Sequence, residues 1–228
     1  MCSNDELPLV FATGNQHKVN EFREICSDLP LKLAKLSEFP QVDSPEETGV
    51  TFCENALQKT MNVCKNLDLP SCADDSGLSV VTLDGIPGIH SARFAGPNAT
   101  PDEKNKKLLQ MLNGCCDRTA YFTCAAVIAV GEHHLSQWGA VRSPASLGWE
   151  RHMATGYWIW RGETAVFGWI TDKIRGDKGF GYDPIFYHPA SDRTFAQMTM
   201  TEKNNVSHRG SAFHMMKRQL ALLFEGSF

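Results

Sequence analysis

Apolar positions along this chain follow two rhythms, and the changes between them mark out its elements. Residues 8–13, Pro-Leu-Val-Phe-Ala-Thr, form a short apolar run of the kind a buried strand shows. Gly14-Asn15 is a turn signal, and a helical pattern follows from His17 to Ile25. A second short strand fits residues 30–36. Thr51-Phe52-Cys53-Glu54 has capping-box spacing. The segment after it sets Phe52, Ala56, Leu57, Val63, Cys64 and Leu67 on one helical face, and Asp68 and Pro70 close that helix.

Residues 78–83, Leu-Ser-Val-Val-Thr-Leu, read as a strand that turns at Asp84-Gly85. Thr100-Pro101-Asp102-Glu103 is a second capping box, with proline in the first helical position. Its helix should run to about Asn113 and stop at Gly114. Tyr121 to Val130 is the most strongly apolar strand, Ala165 to Ile170 is another, and Ser211 to Phe224 predicts a closing amphipathic helix. Strands and helices interleave, so the class is α/β, or mixed α+β. No repeat, low-complexity tract or linker interrupts the pattern, and residues 1–228 are expected to form one domain.

Composition narrows the picture. Of the 228 residues, 42% are hydrophobic and 21% charged, an ordinary globular balance. The formal net charge of −4 leaves no general basic footprint for nucleic acid. A phosphate-rich ligand would therefore need lysines and arginines gathered in one cleft. The N-terminus, Met1 to Leu7, carries Asp5 and Glu6 and lacks the layout of a secretory signal. No stretch is long and apolar enough to span a bilayer, so a cytoplasmic protein without a membrane partner is expected. None of the eight cysteines forms a C-x-x-C pair, which argues against a zinc site. Cys53 and Cys64 in a helical pattern and Cys124 in an apolar run predict buried, reduced thiols.

Three polar clusters carry candidate chemistry. The first is Thr13-Gly14-Asn15-Gln16-His17-Lys18, a strand, a tight turn and a helix start. Free N–H groups at a helix N-terminus attract phosphate, and Lys18 would add a full charge. A capped turn with a surface lysine explains the same residues. The second is Ala73-Asp74-Asp75-Ser76-Gly77. At a strand end the two carboxylates would point to opposite sides, so one could hold a metal or activate water while the other fixes the backbone. An acidic turn is the plain alternative. Glu46-Glu47 offers further hard oxygen donors of the kind magnesium prefers. The third cluster is Gly179-Phe180-Gly181-Tyr182-Asp183-Pro184, followed by Glu202-Lys203-Asn204 and Ser207-His208-Arg209-Gly210. Glycines flanking an aromatic allow close approach to a flat ligand, although a bulge with core aromatics would look alike.

Taken together and in order, these stretches resemble the Ham1-like inosine triphosphate pyrophosphatases. The matching segments are residues 11–18, 46–52, 73–77, Pro87-Gly-Ile-His-Ser-Ala-Arg-Phe-Ala-Gly96, 179–184, 202–204 and 207–210. The resemblance implies an elongated mixed α/β fold with a long central sheet, two lobes around a deep cleft, and a homodimer. It implies hydrolysis of ITP, dITP, XTP and dXTP to monophosphate and pyrophosphate with Mg2+. Carried over by residue, Thr13, Gly14, Asn15, Gln16, His17 and Lys18 hold the triphosphate. Asp75 is the general base and a magnesium ligand, with Glu46 or Glu47 as support. Ser76 and Arg93 lie near substrate, and Phe180, Gly181, Tyr182, Asp183, Lys203, His208 and Arg209 form the nucleoside end. The departure is the segment from about Glu132 to Thr164, with Trp138, Trp149, Trp158 and Trp160, where an extended hairpin is one reading. Two competing functions are a Maf-like pyrophosphatase for modified pyrimidine or ordinary nucleotides, and a non-catalytic nucleotide sensor.

Overall fold

The computed structural model describes residues 7–225; the expectations placed on Asp5, Glu6 and Cys2 fall outside them. Among the described residues the architecture is a mixed α/β fold with an eight-stranded sheet and six α-helices. The strand order is β2-β1-β3-β4-β6-β7-β8, with β5 paired to β6. Here β1 is Leu9–Phe11, β2 Leu33–Lys35, β3 Ser71–Val80, β4 Thr119–Val130, β5 Glu150–Arg151, β6 Trp158–Ile170, β7 Phe186–His188 and β8 Arg193–Thr194. β1 runs parallel to β2 and β3, while β5–β6, β6–β7 and β7–β8 are antiparallel, so the sheet is mixed. The helices are α1 Gln16–Ile25, α2 Phe52–Leu67, α3 Pro101–Met111, α4 Glu132–Trp138, α5 Met200–Val206 and α6 His208–Leu222.

The described residues divide into two compact units, residues 7–75, 125–163 and 212–225, and residues 76–124 and 164–211. In the first unit, Asn15 caps α1, whose Val19, Phe22 and Ile25 face inward. Phe22 meets Phe11 of β1 at 4.5 Å and Phe213 of α6 at 5.2 Å between ring centroids. Thr51 caps α2 by accepting from the Glu54 N–H, and the helix ends on Asp68 in a left-handed conformation with φ 50°. In the second unit, Thr100 and Glu103 cap α3 reciprocally behind Pro101. Leu78, Leu108, Phe122, Ile170, Phe186 and Phe195 belong to its buried core.

Several boundaries differ from the sequence reading, each for a physical reason. β3 starts at Ser71 and includes Asp74-Asp75-Ser76-Gly77, where the sequence alone fits a turn or strand end. Lys18 of α1 pairs with Asp74 and Lys59 of α2 with Asp75, so both acids can stay inside the strand. The strand stops at Val80, and a short 3-10 turn over Val81–Leu83 leads to Asp84. β6 begins at Trp158 rather than near Ala165, pairing with β5 through Arg151↔Trp158. Only that short pairing of the tryptophan-rich segment is a hairpin; residues 132–138 are helical. Trp138 donates its indole N–H to the Leu7 carbonyl, Trp149 to Gln219 and Trp158 to Glu132. Trp160 is buried. The segment is thus built into the first unit. The seven described cysteines are free thiols.

Candidate active site

In the first unit, the turn after β1 is held by its own polar groups. The Asn15 N–H donates to Thr13 Oγ1 at 3.2 Å, and Asn15 Oδ1 accepts from the His17 N–H at 2.9 Å. α1 therefore opens on Gln16 directly beyond an exposed Gly14, with the positive end of its dipole at the turn. Gln16 and His17 are exposed, and Gln16 bonds Asn20. Lys18 folds back, its Nζ 2.9 Å from Asp74 Oδ2, whose carboxylate is fully buried. Asp74 is thus more than a backbone anchor, because it positions a lysine.

Asp75, the next residue of β3, contacts α2. Its Oδ1 accepts from Lys59 Nζ at 3.0 Å and its Oδ2 from Asn55 Nδ2 at 3.1 Å. Lys59 Nζ also lies 3.2 Å from Glu47 Oε1. Asn55, completely buried, turns its Oδ1 to the Gly49 N–H at 2.8 Å, tying the loop that carries Glu47 to the carboxylate of Asp75. A Cβ on Gly49 would stand 2.7 Å from Asn55 Oδ1, so the close approach requires glycine. Burial pushes the Asp75 carboxyl above its ordinary range, partly offset by Lys59 and then Lys18. Burial also works against charge on Lys59, but Asp75, Asp74 and Glu47 together outweigh it and hold the ammonium above its usual pKa. Glu46 is exposed and lines a shallow groove with Pro45, Leu57 and Met61 instead.

Glu47 and Asp75 therefore aim carboxylate oxygens at one cation, the Lys59 ammonium. A pair of hard oxygen donors converging on a small positive centre fits a divalent ion of the magnesium type. A second grouping, Asp68, His133 and His134, brings three ligand atoms close together. It fits a metal poorly. His134 Nδ1 accepts from the Gly131 N–H at 3.0 Å, so its proton sits on Nε2, which is 2.8 Å from the Asp68 carbonyl and donates to it. Both nitrogens of that ring already serve the fold.

The second unit assembles the third cluster. Asp183 accepts from the Phe180 N–H at 2.8 Å and from Lys203 Nζ at 2.7 Å through one oxygen. A side chain on Gly179, at φ 72°, would collide with that carboxylate. The Phe180 ring carries two cations, Lys203 Nζ at 4.6 Å and the Arg209 guanidinium at 5.0 Å from its centroid. Arg209 Nη2 donates to Ser76 Oγ at 2.7 Å. The Gly181 carbonyl accepts from Asn105 Nδ2, and the Tyr182 hydroxyl donates to the Ser91 carbonyl. His208 is buried with its ring stacked on Phe122 at 4.4 Å, and Arg93 is exposed beside His90.

Sequence reasoning missed Asn55 and Lys59. They stand four apart on α2, hence on one face, and flank the buried Ala56. A polar pair at that spacing beside a core position was the available signal.

The Ham1 family model matches residues 9–219. A dITP/XTP pyrophosphatase of Coxiella burnetii is 40% identical over 220 residues, 96% of this chain and 98% of its own. A dITP/XTP pyrophosphatase of Photorhabdus laumondii is 42% identical over 210 residues, 91% of this chain and 95% of its own. Among solved structures, a HAM1 protein from Coxiella burnetii aligns with TM-score 0.77 and 36% identity over 94% of this chain and 98% of that one.

Proposed function

The chain belongs to the Ham1 family, and we propose that it hydrolyses noncanonical purine nucleoside triphosphates, ITP, dITP, XTP and dXTP, to the monophosphate and pyrophosphate. The observation that carries this reading is Asp75. Its carboxylate is buried and oriented by Asn55 and Lys59, with Glu47 sharing the same cation. A carboxylate whose pKa is raised by burial is a better proton acceptor than one in water.

In this mechanism Asp75 takes a proton from the attacking water. The water oxygen bonds to the α-phosphorus, the bond from that phosphorus to the α–β bridging oxygen breaks, and pyrophosphate leaves. Lys18 and the start of α1 stabilise charge on the departing phosphates. Glu47 and Asp75 would hold Mg2+, which would supply neutralisation of phosphate charge and make the attacking water more acidic. In the second unit, Phe180 offers a face for the purine, and its two cations supply donors for an oxygen on the base. His208 is assigned to the nucleoside end as well, with its ring held by stacking on Phe122. Arg93 and Ser76 are assigned to the substrate side, Ser76 by orienting Arg209.

The products test this reading. Incubation of ITP with enzyme and Mg2+ should yield IMP and pyrophosphate, and EDTA should stop it. IDP with orthophosphate, or full turnover in EDTA, would overturn it. A homodimer is also proposed. Phe167, 67% exposed, and Trp169, 44% exposed, pack beside Tyr121 and Tyr187 to leave an aromatic strip on β6. Light scattering should find a dimer that Phe167→Glu weakens; a monomeric wild type would reject it. Cytoplasmic action is proposed from the free thiols and the nucleotide substrate. No helix among the described residues is long and apolar enough to cross a membrane.

A further inference from the structure

Lys59 stands where Glu47 and Asp75 converge, 3.2 Å from one and 3.0 Å from the other. Its side chain is only 12% exposed, and α2 is anchored on both sides of it by the buried Ala56, Thr60 and Val63. A lysine has four rotatable side-chain bonds, so its ammonium can move while its backbone stays fixed. A divalent ion bound between the same two oxygens would sit within a few ångströms of that ammonium. Like charges at such range in a partly buried site repel strongly. The ammonium and the metal therefore exclude each other, whereas a polyphosphate arriving with the metal offers the lysine a new anionic partner.

We propose that Lys59 is an exchange cation that neutralises Glu47 and Asp75 until a metal–nucleotide complex displaces it, so that the enzyme takes its metal with the nucleotide and binds free metal weakly. This rests on the assignment of Glu47 and Asp75 as the metal site. The exchange sets an order of events and a substrate form, and accounts for a charged side chain buried between two acids rather than left in solvent. Asn55 keeps the arrangement from collapsing when the lysine leaves, because its amide continues to hold Asp75 Oδ2 and the Gly49 N–H.

The test uses Mn2+ as a spectroscopic stand-in for the metal, with the intact protein and no nucleotide. Free Mn2+ is followed by electron paramagnetic resonance as protein is added. Wild type and Lys59→Arg should both bind weakly, and Lys59→Met should bind at least about tenfold more tightly, since one charge has been removed from the site. Lys59→Gln gives the same reading should methionine prevent folding, which circular dichroism reports. Adding a non-hydrolysable ITP analogue should draw Mn2+ onto the wild type beyond what the analogue binds alone. Equal Mn2+ affinity in wild type and Lys59→Met, lost in both on Glu47→Gln, would overturn the exchange and leave the metal site standing. If Glu47→Gln and Asp75→Asn change Mn2+ binding in no background, with or without the analogue, the metal-site assignment itself fails.

Discussion

Two adjacent acids in β3 do different work because strand alternation sends them to different helices. Asp74 grips Lys18 of α1, and Asp75 meets Asn55 and Lys59 of α2. Asp75→Asn keeps shape and loses the proposed base, so kcat should fall by about 10²–10⁴ while nucleotide still binds. Asp74→Asn should act differently: with Lys18 no longer held, KM for ITP should rise several-fold and kcat should change less. Steady-state kinetics of both variants checks this, and an unchanged KM in Asp74→Asn would remove Lys18 from the phosphate contact. The Asp74-Asp75 pair, Lys18 and Glu46-Glu47 stand out in sequence as candidates for chemistry, but the contacts that join them do not. Glu47 is separated from Glu46 only by the reach of Lys59, a side chain that reads in sequence as an ordinary solvated helix position. His208 reads as a surface donor before a helix, yet it is buried because Phe122 of β4 provides a stacking partner that no local pattern announces.

At the scale of elements, local chemistry was readable and long-range satisfaction was not. The caps at Thr51 and Thr100 and the left-handed end at Asp68 follow from a few neighbouring residues. α4 and α5 are seven residues each, too short for a clear hydrophobic period, and both escaped the reading. α4 is fixed by a contact 66 residues distant in sequence, His134 Nε2 to the Asp68 carbonyl. His134→Ala would leave that carbonyl and the Gly131 N–H without their partner, at a cost of about 1–3 kcal/mol at neutral pH. Burial holds the His134 pKa below its ordinary value, with Asp68 and the neighbouring His133 acting in opposite directions on it. The unfolded chain therefore takes up a proton that the folded chain refuses, and wild type should lose stability as pH falls below about 6.5. Asp68, hydrogen-bonded by Tyr157, is held below the carboxylate range and adds its own loss only at more acid pH. Urea unfolding from pH 7.5 to 5 should show the first decline in wild type and a flatter course in His134→Ala. Parallel curves would exclude His134 as its source.

For the molecule as a whole, the mixed α/β class was legible because strand and helix periods alternate along the chain. Its division into two contact units was not, since β3, β4 and β6 are each continuous across the boundary in sequence. The boundary in β3 falls between Asp75 and Ser76, so the acid assigned to chemistry and the hydroxyl that orients Arg209 are consecutive residues. The tryptophan-rich segment, which matched no familiar pattern, is accounted for by indole hydrogen bonds to distant partners within the first unit. Which nucleotide this molecule cleaves is decided at the base. Hypoxanthine and xanthine carry an oxygen at purine position six, where adenine carries an amino group. Donors such as Lys203 and Arg209 would match the oxygen and leave adenine's amino group facing another donor, at about 1–3 kcal/mol or more. Guanine shares that oxygen and must be refused at its position-two amino group. A polar site of this kind discriminates more strongly than an apolar pocket. The direct measurement is kcat/KM for pyrophosphate release from ITP, XTP, ATP and GTP under one set of conditions. ITP and XTP should give high values, and ATP and GTP values at least about tenfold lower. Equal efficiency on ATP and ITP would contradict it.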